Sequence, residues 1–207
     1  MYSQNNEEEL LMDYFNCSNS NNMHLLDIGA NDGLTFSNSA RLIELGWNAT
    51  LLEPSPLAFE KLQKYHANNP NVKCLNYGIS ALGGKSIFYE SGGYQNGEDV
   101  ALYSSIDKNE IKRWQGNVDF KEIEAEFITY QEFINDNKEC VFHFITIDIE
   151  GYDLMLLQQM DLNVLGCQML IIEWNGNIEQ GNKMIAHCNS FGLKEISRNA
   201  ENLIFAR

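Results

Sequence analysis

Basic residues are scarce in this sequence: 14 Lys and Arg stand against 29 Asp and Glu, a formal net charge of -15. Gripping a phosphate backbone takes clustered Lys and Arg, so no nucleic-acid substrate is expected. The acidic surface instead favours solubility. No apolar run approaches the roughly 18 residues a membrane helix needs, so no membrane span is expected. The Asn- and Glu-rich start lacks the apolar stretch of a secretory signal. The five cysteines (Cys17, Cys74, Cys140, Cys167 and Cys188) are odd in number and contain no Cys-x-x-Cys pair. Cys74, Cys140 and Cys167 lie in or beside apolar runs, where buried free thiols are expected. These absences argue against a disulfide scaffold and point to a reducing, cytoplasmic setting. In that setting the sequons Asn16-Cys17-Ser18 and Asn48-Ala49-Thr50 go unused.

What is present is enough for one sizeable core: 207 residues, 44% of them hydrophobic. Residues 7–15 read as a short amphipathic helix, and the Asn/Ser cluster 16–22 as a linker. Residues 23–207 then form a single domain. Strands are expected at 23–27, 48–53 and 72–76, with helices at 35–45 and 56–67 between them. Leu57, Phe59, Leu62 and Tyr65 are candidates for the packed face of the second helix. This alternation indicates a parallel α/β sheet. The rhythm breaks in an insert at about 84–128. It holds a strand at 85–91, a Gly-rich loop at 91–99, an extended piece at 101–106, a helix at 107–114 capped by Asp107 and a strand at 119–128. A helix at 129–136 follows, with Thr129 and Glu132 spaced as a capping box. The alternation resumes with a strand at 141–148, a helix at 152–160, a strand at 169–174 and a helix at 178–191.

The last two strands, 193–197 and 203–206, lie too close together for a crossover helix, so they must form an antiparallel hairpin. An antiparallel final strand on a parallel sheet is the Rossmann-like topology of class I methyltransferases, with seven strands in the order 3-2-1-4-5-7-6. A nicotinamide-binding domain would end on a parallel strand.

Four positions carry chemistry. In the run Asp27-x-Gly29-Ala30-Asn31-x-Gly33, an apolar strand ends in an acid and a glycine turn. The glycines let backbone approach a nucleoside ligand, and a helix starting at the turn aims its free N–H groups there. Glu53 ends the second strand at the spacing of a ribose-binding acid, which also disfavours a 2′-phosphate. In Thr146-Ile147-Asp148-Ile149-Glu150-Gly151, two carboxylates crowd the end of a buried strand, an expensive placement without partners. They can serve as general base, bind a cationic cofactor group or hold a metal, or they can cap the next helix. Glu173-Trp174-Asn175 ends the neighbouring strand. Asp148, Glu173 and Asn175 offer three oxygens of the kind Mg²⁺ takes, although a cationic cofactor needs no metal. The preferred reading is therefore a site without one. Tyr94, Tyr103, Ser104 and Ser105 fall in the insert and are candidates to line the substrate side. His143, flanked by Phe142 and Phe144, reads as a packing histidine. His24 is expected at the far end of the sheet.

Several segments resemble the FkbM-type methyltransferases. The run from Leu26 to Gly33 is similar to that family's first motif. Gly46-Trp47 leading to Glu53-Pro54-Ser55-Pro56 resembles its second, and Asn76-Tyr77-Gly78-Ile79-Ser80 with Gly83-Gly84 its third. The run from Ile147 to Asp153 is similar to its most diagnostic segment. The resemblance extends from about Leu25 to Trp174. It implies S-adenosylmethionine as methyl donor and a hydroxyl on a sugar, glycan or small metabolite as acceptor. It further implies Glu53 on the ribose, the Gly29–Gly33 turn around the methionine part and Asp148 and Glu150 at the reaction centre. Asp27, Ala30, Asn31, Pro54, Gly78, Ser80 and Asp148 complete the implied cofactor set. Thr146 stands where the family has Lys, and His143 where it often has Asp. The missing lysine leaves a non-catalytic cofactor-binding module as an alternative, beside a metal-dependent O-methyltransferase using Asp148, Glu173 and Asn175.

Overall fold

The computed structural model describes residues 2–16, 22–92, 101–114, 116–138 and 140–207. Most of the Gly-rich loop, Tyr94, Cys17 and most of the linker lie outside them. Seven strands make the main sheet: β1 (His24–Ile28), β2 (Asn48–Leu52), β3 (Val72–Leu75), β7 (Phe144–Ile147), β8 (Met169–Glu173), β9 (Lys194–Arg198) and β10 (Asn202–Ala206). Their order is β3-β2-β1-β7-β8-β10-β9. The first five run parallel, and β10 pairs antiparallel with both β8 and β9. This is the expected class I methyltransferase topology, and the final strand is not the parallel one of a nicotinamide domain.

The central strands are apolar on both faces, and their period of two sorts the residues between two cores. Leu26, Ile28, Ile145, Ile147, Leu170 and Ile172 face one side. There they meet α5 (Tyr130–Asp136), α6 (Asp153–Leu157) and α7 (Ile178–Ser190) through Phe133, Leu156 and Met184. Leu25, Phe144, Met169 and Ile171 face the other side. Their partners come from α1 (Glu7–Tyr14), α2 (Ala40–Glu44) and α3 (Pro56–His66) through Leu11, Leu42 and Leu62. Glu7 anchors α1 to the last hairpin: its Oε1 accepts from the Asn199 and Asn202 side-chain amides, both at 2.8 Å. The Thr129–Glu132 capping box of α5 is complete.

A second sheet, ordered β4-β6-β5, forms the insert from β4 (Gly78–Ile79), β5 (Gly84–Gly92) and β6 (Asp119–Ile128). It opens at Gly78, earlier than residue 84, because Gly78 and Ile79 pair parallel with Phe127 and Ile128. The helix α4 (Lys108–Trp114) lies between β5 and β6. Residues 101–106 are turns rather than extended chain, and only Ser105 bridges to Tyr89.

Two helices differ from expectation. The first begins at Ala40, not Thr35. Asp32 takes the amides of Leu34 and Thr35, Ser37 takes those of Ser39 and Ala40, and Phe36 is left-handed at φ 54°. Short polar side chains thus hold residues 32–39 in turns. In α3 the buried positions are Ala58, Leu62 and His66, spaced by four, while Leu57 and Tyr65 are exposed. Cys167 and Cys188 are buried and Cys74 and Cys140 half-buried, all as free thiols.

Candidate active site

The chain runs outward from β1 to β2 and β3, then crosses back to β7 on the other side of β1. Ligands of open α/β sheets bind at such a switch point, outside the carboxyl ends of the strands. A cavity of about 460 Å³ lies there, within the range of small-molecule sites. It is lined by the ends of β1, β2, β7 and β8 and by residues of the insert.

Of the sequence-derived cofactor residues, Asp27, Gly29, Ala30, Asn31, Glu53, Pro54, Gly78 and Asp148 line the cavity. Gly33 and Ser80 are not among its lining residues. Gly33 instead packs against α3: a Cβ there would stand 2.6 Å from Leu62 Cδ1. The Ser80 amide donates to Ile128 O, continuing the pairing of β4. Glu150, Tyr103, Ser104, Glu173 and Asn175 also line the cavity. Ser105 does not; its hydroxyl donates to Glu150 O at 2.6 Å and ties the insert to the acid loop.

The glycine turn works differently from expectation. A Cβ on Gly29 would sit 1.8 Å from Asp148 O, so this glycine lets β1 and β7 close on each other. The turn's amides are spent within the protein. Gly29 and Ala30 donate to Leu52 O. Asn31 donates to Glu53 Oε2 at 2.9 Å, and Asp32 to the Asn31 side chain. No helix N-terminus points from the turn into the cavity, since α2 starts at Ala40.

Glu53 is 5% exposed, and its Oε1 accepts from Ser55 N at 2.6 Å. Each carboxylate oxygen keeps a free lone pair. Burial pushes Glu53 up to about 8 against the pull of these two amides, with Asp27 and Glu90 adding to the rise. Burial likewise raises Asp27 to about 7, although the Ser39 hydroxyl at 2.6 Å favours its charged form.

Beyond β7 the acids gather. Asp148 is open to the cavity, yet the surrounding protein desolvates it and raises it to about 6, against the pull of Arg113. Glu150 and Glu173 are each 7% exposed, and burial and neighbouring carboxylates hold both well above the usual range. Asp153, 3% exposed, shapes this loop by accepting from Ile149 N and Gly151 N at 3.0 Å each. Its carboxyl is raised to about 7, by burial first and then by Asp148. Carboxyls displaced this far and gathered in a cleft make this rim the candidate site.

Sequence reasoning missed several lining residues. Arg113 is the only Lys or Arg among the described residues lining the cavity. It stacks over Trp114 at 5.0 Å and stands 3.1 Å from Glu110 and 3.8 Å from Glu150. Its signal was an Arg-Trp pair closing an insert helix. Thr146 accepts from Asn38 Nδ2 at 3.3 Å, so an Asn–Thr pair occupies the position of the family's lysine. Neither histidine lines the cavity: His143 Nδ1 accepts from His24 N, and His24 Nε2 pairs with Thr50.

With both faces of the sheet covered and acids gathered at its switch point, the structure defines a class I methyltransferase fold. The sequence pattern of the methyltransferase FkbM domain matches residues 27–195. The chain therefore belongs to the FkbM methyltransferase family. Among solved structures it is similar to a METTL16 methyltransferase domain at TM-score 0.54 and 10% identity, covering 96% of this chain and 64% of that one. A second METTL16 methyltransferase-domain structure gives TM-score 0.50 at 10% identity, with 96% and 65% coverage. The ribosomal protein L11 methylase of Lactobacillus delbrueckii subsp. bulgaricus gives 0.49 at 11% identity, with 97% and 75% coverage. This chain thus spans less than two thirds of the length of the first two. Among curated protein sequences none matches. Among the described residues no helix is long and apolar enough to cross a membrane.

Proposed function

We propose that this enzyme methylates a hydroxyl oxygen on a sugar or small metabolite, with Glu53 holding the donor and Asp148 and Glu150 serving the acceptor. The carrying observation is the division of the rim. Glu53 at the end of β2 is fixed by two amides, whereas Asp148 and Glu150 beyond β7 stand open to or beside the cavity with few donors. One strand, β1, lies between β2 and β7, a span of roughly 10 Å at ordinary strand spacing. That suits a ligand with a ribose at one end and a reacting carbon at the other.

S-adenosylmethionine, when bound, supplies a methyl group already activated on a sulfonium. The protein's task is then to orient the acceptor and take its proton. Glu53 offers its two oxygens to a ribose diol, and a bound diol would favour its charged form through charge-assisted bonds. Asp27, Asp148 and Glu173 line the cavity, and Asp148, the most readily ionised of them, complements a cationic donor. Asp148, raised to about 6, is a stronger base than an ordinary carboxylate and stays ionised at neutral pH. Tyr103, Ser104 and Asn175 are placed to meet the acceptor.

The test is a radiolabelled methyl-transfer screen over sugar and small hydroxylated acceptors, run beside amine analogues. Transfer to hydroxyls that collapses in Asp148→Asn supports the reading. Transfer to amines alone, or an Asp148→Asn variant with wild-type turnover, overturns it.

A further inference from the structure

Three carboxylates from two neighbouring strand ends converge on one point. Asp148 follows β7, Glu173 closes β8, and Glu150 is brought back by the loop that Asp153 clamps. One oxygen from each of Asp148, Glu150 and Glu173 lies within 4.8 Å of the other two. Hard divalent ions hold oxygens at about 2.0–2.6 Å. Ligands on opposite sides of one ion are therefore about 4–5 Å apart, and a set of this spread fits around a single ion.

The second observation is the state of Glu150. The residue is 7% exposed, and its Oε2 is shut off from solvent with no hydrogen-bond donor among the described residues. Its cationic neighbour Arg113 stands 3.8 Å away, beyond hydrogen-bond range, and lies nearer to Glu110 at 3.1 Å. A buried carboxylate oxygen left this way is costly, and one shared guanidinium does not balance four carboxylates. The cavity side of the group is open, because Asp148 is solvent-accessible.

We infer that Asp148, Glu150 and Glu173 form a binding site for one divalent cation of the Mg²⁺ or Mn²⁺ class. The donor set is all oxygen and anionic, which selects hard ions over those that prefer imidazole or thiolate. Glu150 takes the place that sequence reading assigned to Asn175. Asn175 lines the same cavity but is not one of the three converging groups.

The role of the cation rests on the proposed hydroxyl methylation; its binding does not. An acceptor hydroxyl on the ion loses its proton more readily. That proton would pass to the Asp148 oxygen not held by the ion as the oxygen–methyl bond forms, the sulfur–methyl bond breaks, and the electron pair stays on sulfur as a neutral thioether.

The test reads binding without turnover, so either proposal can fail alone. Mn²⁺ is titrated into the full chain at pH 8 and free Mn²⁺ is followed by electron paramagnetic resonance, with Mg²⁺ as competitor. One equivalent bound and displaced by Mg²⁺ is expected. Glu150→Gln and Glu173→Gln should each weaken binding roughly tenfold or more. Arg113→Met, which removes the competing cation, should retain or tighten it. Circular dichroism confirms that each variant is folded, and the Arg113→Met arm stands should a Gln variant not fold. No binding by the wild type, equal binding by both Gln variants, or loss of binding in Arg113→Met overturns the inference.

Discussion

The turn after β1 and the loop after β7 sit side by side on the same rim and handle their polar groups in opposite ways. In the first, residues 29–35 spend their amides on Leu52 O, Glu53, Ala30 O and the side chains of Asn31 and Asp32. Its glycines accommodate protein atoms. In the second, Asp153 satisfies the backbone, while Glu150 keeps a buried carboxylate oxygen without a hydrogen-bond donor among the described residues and Asp148 stands open to solvent. A satisfied loop is scaffold, and an unsatisfied one is where ligand energy is to be gained. The glycine turn, which reads as a ligand cradle, shapes the cavity mainly by letting strands close.

The contrast can be broken first at Asp148. Asp148→Asn should lower kcat by about 10²–10⁴-fold while calorimetry shows S-adenosylhomocysteine binding nearly unchanged. A loss confined to binding would make this loop part of the donor cradle instead. Next is Gly29→Ala, whose methyl meets backbone at 1.8 Å with φ at +93°. Its cost in urea unfolding should exceed about 3 kcal/mol, and a mild effect would return that glycine to a ligand-facing role. Glu53→Gln should weaken S-adenosylhomocysteine by roughly tenfold, the worth of a charge-assisted bond, and equal affinity would refute the ribose contact. Gly33→Ala meets side chains that can give, at 2.6 Å from Leu62 and 3.0 Å from His66. It should cost about 1–2 kcal/mol, clearly less than Gly29→Ala.

A further expectation concerns pH. Asp27, Glu53 and Asp153 titrate in the fold near 7, 8 and 7, above their ordinary values. Between about pH 4 and 8 the folded protein therefore holds more protons than the unfolded chain, and its stability falls as pH rises. The melting temperature of the unliganded protein should drop by on the order of 10–20 °C from pH 5.5 to 8. A bound cation should shrink that drop, because it favours the charged carboxylates.

Much of the fold was legible because it is written in local patterns. Short spacing forced the last hairpin, alternation marked the strands, and Thr129 with Glu132 announced α5. The site was partly legible: acids at strand ends stood out against apolar runs. The errors fell where short-range polar bonds or three-dimensional packing compete with pattern. Residues 32–39 carry no mark that Asp32 and Ser37 hold them out of a helix. In α3, Leu57 and Phe59 are two apart and point to different sides, so no single face contains both; the buried face runs through Ala58, Leu62 and His66.

By itself the sequence determined the class of fold, the rim on which the cavity opens and the acids present there, because hydrophobic period and strand-end position are local properties of a chain. Only the tertiary structure decided which acids meet. Glu173 reaches Asp148 and Glu150 because β7 and β8 pair in parallel with Ile147 opposite Ile172, which sets their carboxyl ends side by side. The tertiary structure likewise decided that Gly29 yields space to Asp148, since that contact joins residues far apart in the chain and no spacing within it encodes the approach.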